Sequence, residues 1–220
     1  MVCPYHYWWP VVSESNQNAA WVTIATPLTP AQLFDFATDV ERLFRLNPYL
    51  QIHNWDAGPT GMTEDSRIRI NYFNEVNGVA RDLVMTVAGL KHGIGYTLNY
   101  SEGVKRATEI CVEPSSDGGT TLLIKDYYHV SEENLPGSEQ EARLAEVDRS
   151  LTPWGVAIRQ HLLNLQRWGW LPFYRVLRER FWLGMPPRSR RISRLLIWIT
   201  VLEFMAFLFV FLIYLIEFRR

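Results

Sequence analysis

The feature that most constrains this chain is an apolar run near its C-terminal end. Residues 195–216 read LLIWITVLEFMAFLFVFLIYLI and contain one ionisable side chain, Glu203. As a helix with a rise of 1.5 Å per residue, this run spans about 33 Å, which matches the hydrocarbon core of a bilayer. A helix buried in a globular core rarely stays apolar on every face for six turns. The run therefore predicts one transmembrane helix.

Arginines flank this predicted span unevenly. Two arginines follow it, and four precede it, namely Arg188, Arg190, Arg191 and Arg194. The positive-inside rule therefore places the N-terminal part of the chain in the cytoplasm. The first ten residues, MVCPYHYWWP, lack the basic and apolar regions of a secretory signal. We expect a tail-anchored, single-pass protein of the bacterial inner (plasma) membrane.

The net charge of −1 conceals two parts of opposite sign. Residues 1–148 contain 10 basic and 20 acidic side chains, whereas residues 149–220 contain 12 arginines and three glutamates. An acidic body has no basic face for nucleic acid, so nucleic-acid binding is excluded. The arginine-rich part is expected to meet an anionic membrane surface.

A basic linker, residues 171–194, precedes the span. Its apolar side chains recur every three or four residues between arginines, which predicts an amphipathic helix in the headgroup layer. Packing of this helix on the body is the alternative. Trp182 and Trp198 stand where interfacial aromatic belts form. Glu203 predicts either a contact with another membrane helix or a neutral carboxyl that faces lipid.

The body, residues 19–170, alternates strand and turn signals. A strand at 20–26 is followed by one helix or two short ones, with Thr29 as N-cap, Pro30 at the first helical position and Gln32 at the capping-box position. Six short strands then follow at 50–55, 67–74, 80–88, 93–100, 105–113 and 120–130. Beyond Pro153, apolar residues at helical spacing predict a long amphipathic helix. Residues 1–18 are a separate aromatic segment, and residues 217–220 form a short tail.

The segment AWVTIATPLTPAQLFDFATDVERLFRLNP resembles the opening of START-like proteins of the SRPBCC superfamily. The order strand, helix pair, six-strand meander and long helix is similar to their helix-grip fold. The resemblance implies an α+β domain whose antiparallel sheet wraps around the long C-terminal helix. It also implies a cavity between them for a lipid, sterol, polyketide, quinone or other apolar ligand. The expected cavity liners are Ile70, Tyr72, Met85, Tyr96, Leu98, Ile124, Tyr128, Trp154, Ile158 and Leu162.

Catalytic signals are weak. No GxSxG, HExxH, P-loop or GxGxxG motif is present, and five scattered histidines predict neither a metal site nor a cofactor. Asp126 and His161 are the weak candidates for acid–base chemistry. We expect Asp126 at a strand end in solvent; if it is buried, Arg159 or His161 would be its partner. Ordinary strand packing, with hydroxyls at the rim, is expected for the tyrosines.

Three functions remain open at this point. The leading hypothesis is a membrane-anchored protein that binds an apolar or amphipathic ligand taken from its own membrane. The first alternative is an accessory or assembly subunit of a larger membrane complex, in contact through Glu203. The second is an enzyme of the cyclase or dehydratase type.

Overall fold

We describe a computed structural model of the 220-residue chain. It describes residues 19–58, 61–76, 78–103, 105–115, 119–128 and 137–218, with residues 137–150 described by their backbone alone. The aromatic segment 1–18 lies outside the described residues. The strands are β1 (Ala19–Thr26), β2 (Leu50–Asp56), β3 (Arg67–Asn74), β4 (Val79–Lys91), β5 (Gly95–Tyr100), β6 (Lys105–Pro114) and β7 (Thr120–Tyr128). The helices are α1 (Pro30–Thr38), α2 (Val40–Arg45), α3 (Gly137–Trp168), α4 (Pro172–Val176) and α5 (Pro187–Phe218), with a π-helical turn at Leu177–Trp182.

The seven strands form one antiparallel sheet in the order β1-β7-β6-β5-β4-β3-β2. Strands β2 to β7 follow one another as a meander, and β1 closes the other side by pairing with β7. The six predicted strands of the meander are confirmed, with boundaries that shift by a few residues. Alternation places one face of each strand in the core, for example Ile68 and Ile70 in β3.

Local sequence explains the two short helices that link β1 to β2. The Thr29 hydroxyl accepts a hydrogen bond from the backbone of Gln32, and the Gln32 side chain accepts one from the backbone of Thr29. This capping box confirms the prediction, and such a cap contributes about 1 kcal/mol. Asp39 ends α1 and caps α2 through the backbone of Arg42. The predicted segment is therefore two helices rather than one.

Helix α3 packs against β1 and closes the apolar face of the sheet. Leu151, Trp154, Ile158 and Leu162 are all buried. The indole of Trp154 donates a hydrogen bond to the carbonyl of Leu43 at 2.8 Å, which joins α3 to α2. Gly155 lies so close to β1 that an added Cβ would come within 2.5 Å of Val22 Cγ2. The helix-grip architecture predicted from the sequence is confirmed.

The last helix, α5, leaves the body. It contains 32 residues, and none of its most apolar window is buried in the chain. By length and composition α5 is able to cross a membrane. Its first residue, Pro187, is buried against the body, and the preceding Leu183 enters the hydrophobic core. Proline suits the first position of a helix, because its missing N–H group would have no partner within the helix there.

Candidate functional site

The predicted cavity liners lie on the inner face of the sheet or on α3. Nine of the ten are buried, from Met85 and Ile158 at 0 % exposure to Tyr128 at 6 %, and Tyr72 is half-buried. Most of them belong to a single hydrophobic cluster. The prediction that they border a ligand cavity is not tested by this packing. The packing does bring these residues together on the facing sides of the sheet and α3, the two elements that were expected to enclose a cavity.

A polar cluster interrupts this apolar face at Asp126. The side chain of Asp126 is only 3 % exposed, so the expected solvent position is wrong. Lys105 Nζ donates to Asp126 Oδ2 at 2.6 Å, and Thr108 Oγ1 donates to Oδ1 at 2.5 Å. The Tyr128 hydroxyl donates to Oδ2 at 3.3 Å. The partner of Asp126 is therefore Lys105, and the expectation of Arg159 or His161 is also wrong.

A β-bulge brings Lys105 onto the inner face. Lys105 pairs with Tyr128, and the register shifts before Ala107 pairs with Tyr127. In a regular strand, Lys105 would point outward with Ala107 and Glu109, because side chains alternate with period two. The extra residue, Arg106, reverses that alternation. Because strict alternation places Lys105 on the outer face, the sequence analysis did not identify it as a site residue. The available signal for a bulge was a charged residue directly after a turn.

Lys105 contacts a buried carboxylate and is itself still accessible from outside. About a third of its side chain (31 %) is exposed, although it contacts the buried Asp126 carboxylate and lies 5.8 Å from the centre of the Tyr100 ring. Burial lowers the pKa of Lys105, but the charge of Asp126, its hydrogen bond to Lys105 and the nearby Tyr128 and Tyr72 together outweigh burial and raise the pKa. Lys105 is therefore a charged donor that an incoming oxygen atom can approach.

Tyrosines extend the cluster across the inner face. The Thr108 hydroxyl gives its proton to Asp126, so the Tyr100 hydroxyl, 2.9 Å away, donates to Thr108. Burial raises the pKa of Tyr100, and the nearby Asp126 charge adds to that effect. Burial also raises the pKa of Tyr72. Both phenols therefore stay protonated, and the Tyr100 hydroxyl serves as a hydrogen-bond donor. We call Tyr72, Tyr100, Lys105, Thr108, Asp126 and Tyr128 the inner polar cluster.

Tyr96 differs from these residues. It is fully buried, and its hydroxyl donates to the carbonyl of Ala37 at 2.5 Å. The expected rim position is therefore wrong for this hydroxyl. Its hydrogen bond joins β5 to the end of α1, so Tyr96 connects the sheet to the helix pair.

The inner polar cluster lies at one end of the sheet. Tyr100 and Tyr128 end β5 and β7, and Lys105 begins β6. In an antiparallel meander these strand ends lie side by side. The start of β2 and the end of β3, where Leu50 pairs with Asn74, point the same way along the antiparallel sheet. This shared end is called the upper end of the sheet below.

The second catalytic candidate, His161, lies apart from the cluster. It is fully buried, and its Nδ1 accepts a hydrogen bond from Arg178 Nε at 3.0 Å. Arg178 belongs to the π-helical turn after α4 and also donates to the Tyr174 hydroxyl. Asp126 and His161 therefore have different partners and form no pair. His161 instead attaches the linker to α3.

The predicted interface arginines contact the body at the upper end. Arg190 Nη1 donates to the carbonyl of Arg45 at 2.8 Å, and Arg191 Nη1 donates to the carbonyl of Pro48 at 3.1 Å. Arg191 also pairs with the Glu75 carboxylate, and Arg188 Nε lies 3.4 Å from Glu75 Oε1. We call these contacts the arginine junction. The sequence identified the arginines but not this role, because residues about 115 to 145 positions apart meet only in the fold.

The linker before α5 presents its apolar side chains outward. Phe173 is 77 % exposed, and Val176 and Phe181 are each 55 % exposed. Trp198 and Glu203 on α5 are also exposed, as is Arg194, and Trp182 is half-buried. Within the described ranges, no three His, Cys, Asp or Glu side chains come together as a metal site.

Comparisons with known proteins bear on the fold. No family model and no curated protein sequence matches the chain. A START superfamily protein from Mycobacterium smegmatis has 14 % identity and a TM-score of 0.50, with 67 % of this chain and 99 % of that chain covered. The domain has a START-like fold. A protein from Rhodobacter sphaeroides has 14 % identity and a TM-score of 0.49 over 67 % of this chain and 93 % of that one. Ara h 8.0201 has 14 % identity and a TM-score of 0.46, with 66 % of this chain and 97 % of that chain covered. At such identities these similarities concern the START-like fold alone.

Proposed function

We propose that this START-like domain binds an apolar or amphipathic ligand between its sheet and α3, and that the ligand carries an oxygen atom for Lys105. The inner polar cluster is the observation that carries the proposal. A buried ion pair rarely adds net stability over apolar packing, because both charges lose their hydration. A charged donor that stays accessible inside an apolar face is suited instead to orient one polar group of a ligand.

The membrane supports this choice of ligand. The arginine junction lies beside the start of β2 and the end of β3, which point the same way along the sheet as the ends of β5 and β7 in the inner polar cluster. The exposed Phe173 and Phe181 in the linker are suited to the headgroup layer, with Arg175 and Arg180 beside them. With residues 195–216 in the bilayer of the inner membrane and the body in the cytoplasm, the domain stays close to its source of lipid.

The test uses the full-length protein, extracted in mild detergent and analysed by native mass spectrometry and lipid extraction. We expect a bound apolar molecule with a carbonyl, carboxyl or hydroxyl group. Lys105→Met should reduce the bound fraction by at least tenfold, because the charged donor is lost. Lys125→Met is the matched control, since Lys125 lies on the outer face over the Tyr127 ring. Occupancy is normalised to folded protein measured by circular dichroism.

Two outcomes contradict this function. If the wild-type protein contains no apolar molecule, the domain is not a ligand carrier. If Lys105→Met and Lys125→Met retain equal amounts of ligand, the inner polar cluster does not orient it.

A second candidate function rests on Glu203. This side chain is exposed on α5 among apolar residues, where an unpaired carboxyl costs a few kcal/mol in hydrocarbon. A polar group on a neighbouring membrane helix would offset that cost, as in an accessory subunit of a membrane complex. Copurification in mild detergent tests this candidate. A stoichiometric partner that is lost in Glu203→Leu, but retained in Glu217→Leu, would support it.

A further inference from the structure

The polar side chains of α5 lie on one side of the helix. Apart from one indole, the polar side chains of residues 195–217 are Thr200, Glu203, Tyr214 and Glu217. Successive residues of a helix are about 100° apart, so these four project within an arc of about 100°. The span therefore has a polar side, although its composition is almost entirely apolar.

This side continues along the helix as a stripe with alternating steps of four and three residues. The stripe consists of Leu196, Thr200, Glu203, Phe207, Val210 and Tyr214, and we call it the α5 stripe. All six side chains are exposed, for example Phe207 and Val210 at 63 %. Alternating steps of four and three are the pattern with which two helices pack along each other in a left-handed pair. The α5 stripe therefore has the spacing of a helix–helix contact surface.

Glu203 is the residue of the stripe that most needs a partner. It lies eight residues after Leu195, which places it about 12 Å along the span. A carboxyl at that depth carries its proton, because an isolated charge in hydrocarbon is far more costly. A neutral carboxyl both donates and accepts hydrogen bonds, as does the Thr200 hydroxyl one turn earlier. Polar side chains at such depth face another protein segment rather than lipid.

The chemistry of the stripe fits a second copy of the same helix. Copies of one chain insert with the same topology, so two α5 helices meet in parallel. In a parallel two-fold pair, each stripe residue lies opposite its own counterpart. The two Glu203 carboxyls then meet, and each is able to donate to the other. A helix of different sequence would need a polar group of its own at the same depth.

The body is attached on the other side of α5. Pro187 is buried against the body, and Arg191 contacts Pro48 and Glu75. At about 100° per residue, Pro187 and Arg191 project about 140–180° away from the middle of the α5 stripe. Two chains that meet along their stripes therefore carry their bodies on the outer sides of the helix pair, where the bodies leave the contact open.

We propose that the chain forms a parallel dimer in the membrane, with the α5 stripes of two copies as the interface and the paired Glu203 carboxyls at its centre. The proposal rests on the membrane insertion of α5 that the proposed function uses, and it assigns the neighbouring membrane helix to a second copy. It does not depend on a ligand at the inner polar cluster. Absence of that ligand and absence of the dimer are therefore separate results.

The first experiment locates the interface by cross-linking. The full chain, with Cys3 and Cys111 replaced by serine, is reconstituted in liposomes and oxidised with copper phenanthroline. We expect disulfide-linked dimers from Phe207→Cys and few from Phe209→Cys. Phe209 is the matched control, because it is a similarly exposed phenylalanine (66 %) two residues further on. It projects about 140° away from the middle of the stripe.

The second experiment measures how strongly the copies associate. Full chains labelled at Thr23→Cys with a donor or an acceptor fluorophore are mixed in liposomes, and energy transfer is followed as the protein-to-lipid ratio is varied. Glu203→Leu should raise the dissociation constant about tenfold. Glu203→Gln should stay close to wild type, because an amide also donates and accepts. Trp198→Phe is the control, since it removes a polar group from the opposite side of the helix.

Each contrary outcome overturns the proposal. Equal cross-linking from Phe207→Cys and Phe209→Cys means random encounters in the bilayer. Equal dissociation constants for wild type and Glu203→Leu contradict the paired carboxyls. A different protein that copurifies in place of a second copy assigns the stripe to an accessory-subunit contact. A chain that fails to insert into liposomes contradicts the dimer together with the span.

Discussion

His161 illustrates how a single buried side chain links the body to the segment that leads to α5. Its ring is fully buried, packs 5.8 Å from the Phe36 ring and accepts a hydrogen bond from Arg178. Burial lowers the pKa of His161 to about 3, and the positive charges of Arg178 and Arg42 add to that effect. The residue is therefore neutral in the folded protein at physiological pH.

This pKa predicts how stability depends on pH. Unfolded histidine binds a proton near pH 6.5, whereas folded His161 does so only near pH 3. The free energy of unfolding therefore falls as pH drops below about 6.5, by up to about 1.4 kcal/mol per pH unit. In His161→Gln, the amide oxygen is able to accept the hydrogen bond from Arg178. Between pH 7 and pH 5, the free energy of unfolding of this variant should fall by about 2 kcal/mol less than that of the wild-type protein.

Urea unfolding of the full chain in detergent, followed by tryptophan fluorescence, measures this difference. Between pH 7.5 and 8.5 the two proteins should show the same dependence, which is the internal control. Equal losses between pH 7 and pH 5 would show that His161 is protonated in the folded state.

At the scale of elements, the contact of α3 with β1 holds the sheet and the long helix together. Gly155 lies close to β1, and a Cβ atom at this position would meet Val22. A methyl group at Gly155 would have to displace the stiff, β-branched Val22 side chain. Glycine is therefore required here by the neighbouring strand and not by its own backbone conformation.

Gly155→Ala should destabilise the protein by about 1–2 kcal/mol, because overpacking outweighs the better helix propensity of alanine. In a Val22→Ala background the same substitution should stabilise by about 1 kcal/mol, since the clash is gone and the propensity remains. Thermal unfolding of the four proteins in one detergent measures both signs. If Gly155→Ala has the same effect in both backgrounds, α3 does not approach β1 as closely as described.

At the scale of the whole molecule, Glu75 connects the body to α5. The Glu75 side chain is only 6 % exposed, and Arg188 and Arg191 of α5 both approach its carboxylate. Coulomb attraction in a partly buried site is stronger than at the surface. The arginine junction therefore holds the start of α5 against the body.

Glu75→Gln should loosen this attachment, because both arginines lose their carboxylate. Spin labels are attached at Thr23→Cys and Thr200→Cys in a background with Cys3 and Cys111 replaced by serine. Double electron–electron resonance in nanodiscs then reports the distance between the two labels. We expect a clearly broader distance distribution for Glu75→Gln than for the parent protein. Asp82→Asn is the control, because Asp82 pairs with Arg69 on the exposed sheet face. An unchanged distribution for Glu75→Gln would mean that the junction does not orient α5.

Much of the architecture follows from sequence patterns with local causes. The apolar run at 195–216, the cap at Thr29 and the alternation in β3 each depend on neighbouring residues, so they predicted a candidate span, a helix start and a strand correctly. The START-like order of elements followed from those local patterns. Hydrophobic periodicity and capping act over a few residues, so they can be recognised in the sequence without a structure.

The site was decided by tertiary structure. A bulge at Arg106 turns Lys105 inward to Asp126, and that reversal is a property of the β6–β7 register, which the alternation pattern does not contain. Likewise, Arg190 and Arg191 carried a topological signal in the sequence, yet their contacts with Arg45 and Pro48 exist only because the helix start folds back on the body. Sequence alone determined which elements form and which segment is fit to cross a membrane, since those properties are local. Only the fold decided which charges meet, because pairing depends on strand register and chain return over more than a hundred residues.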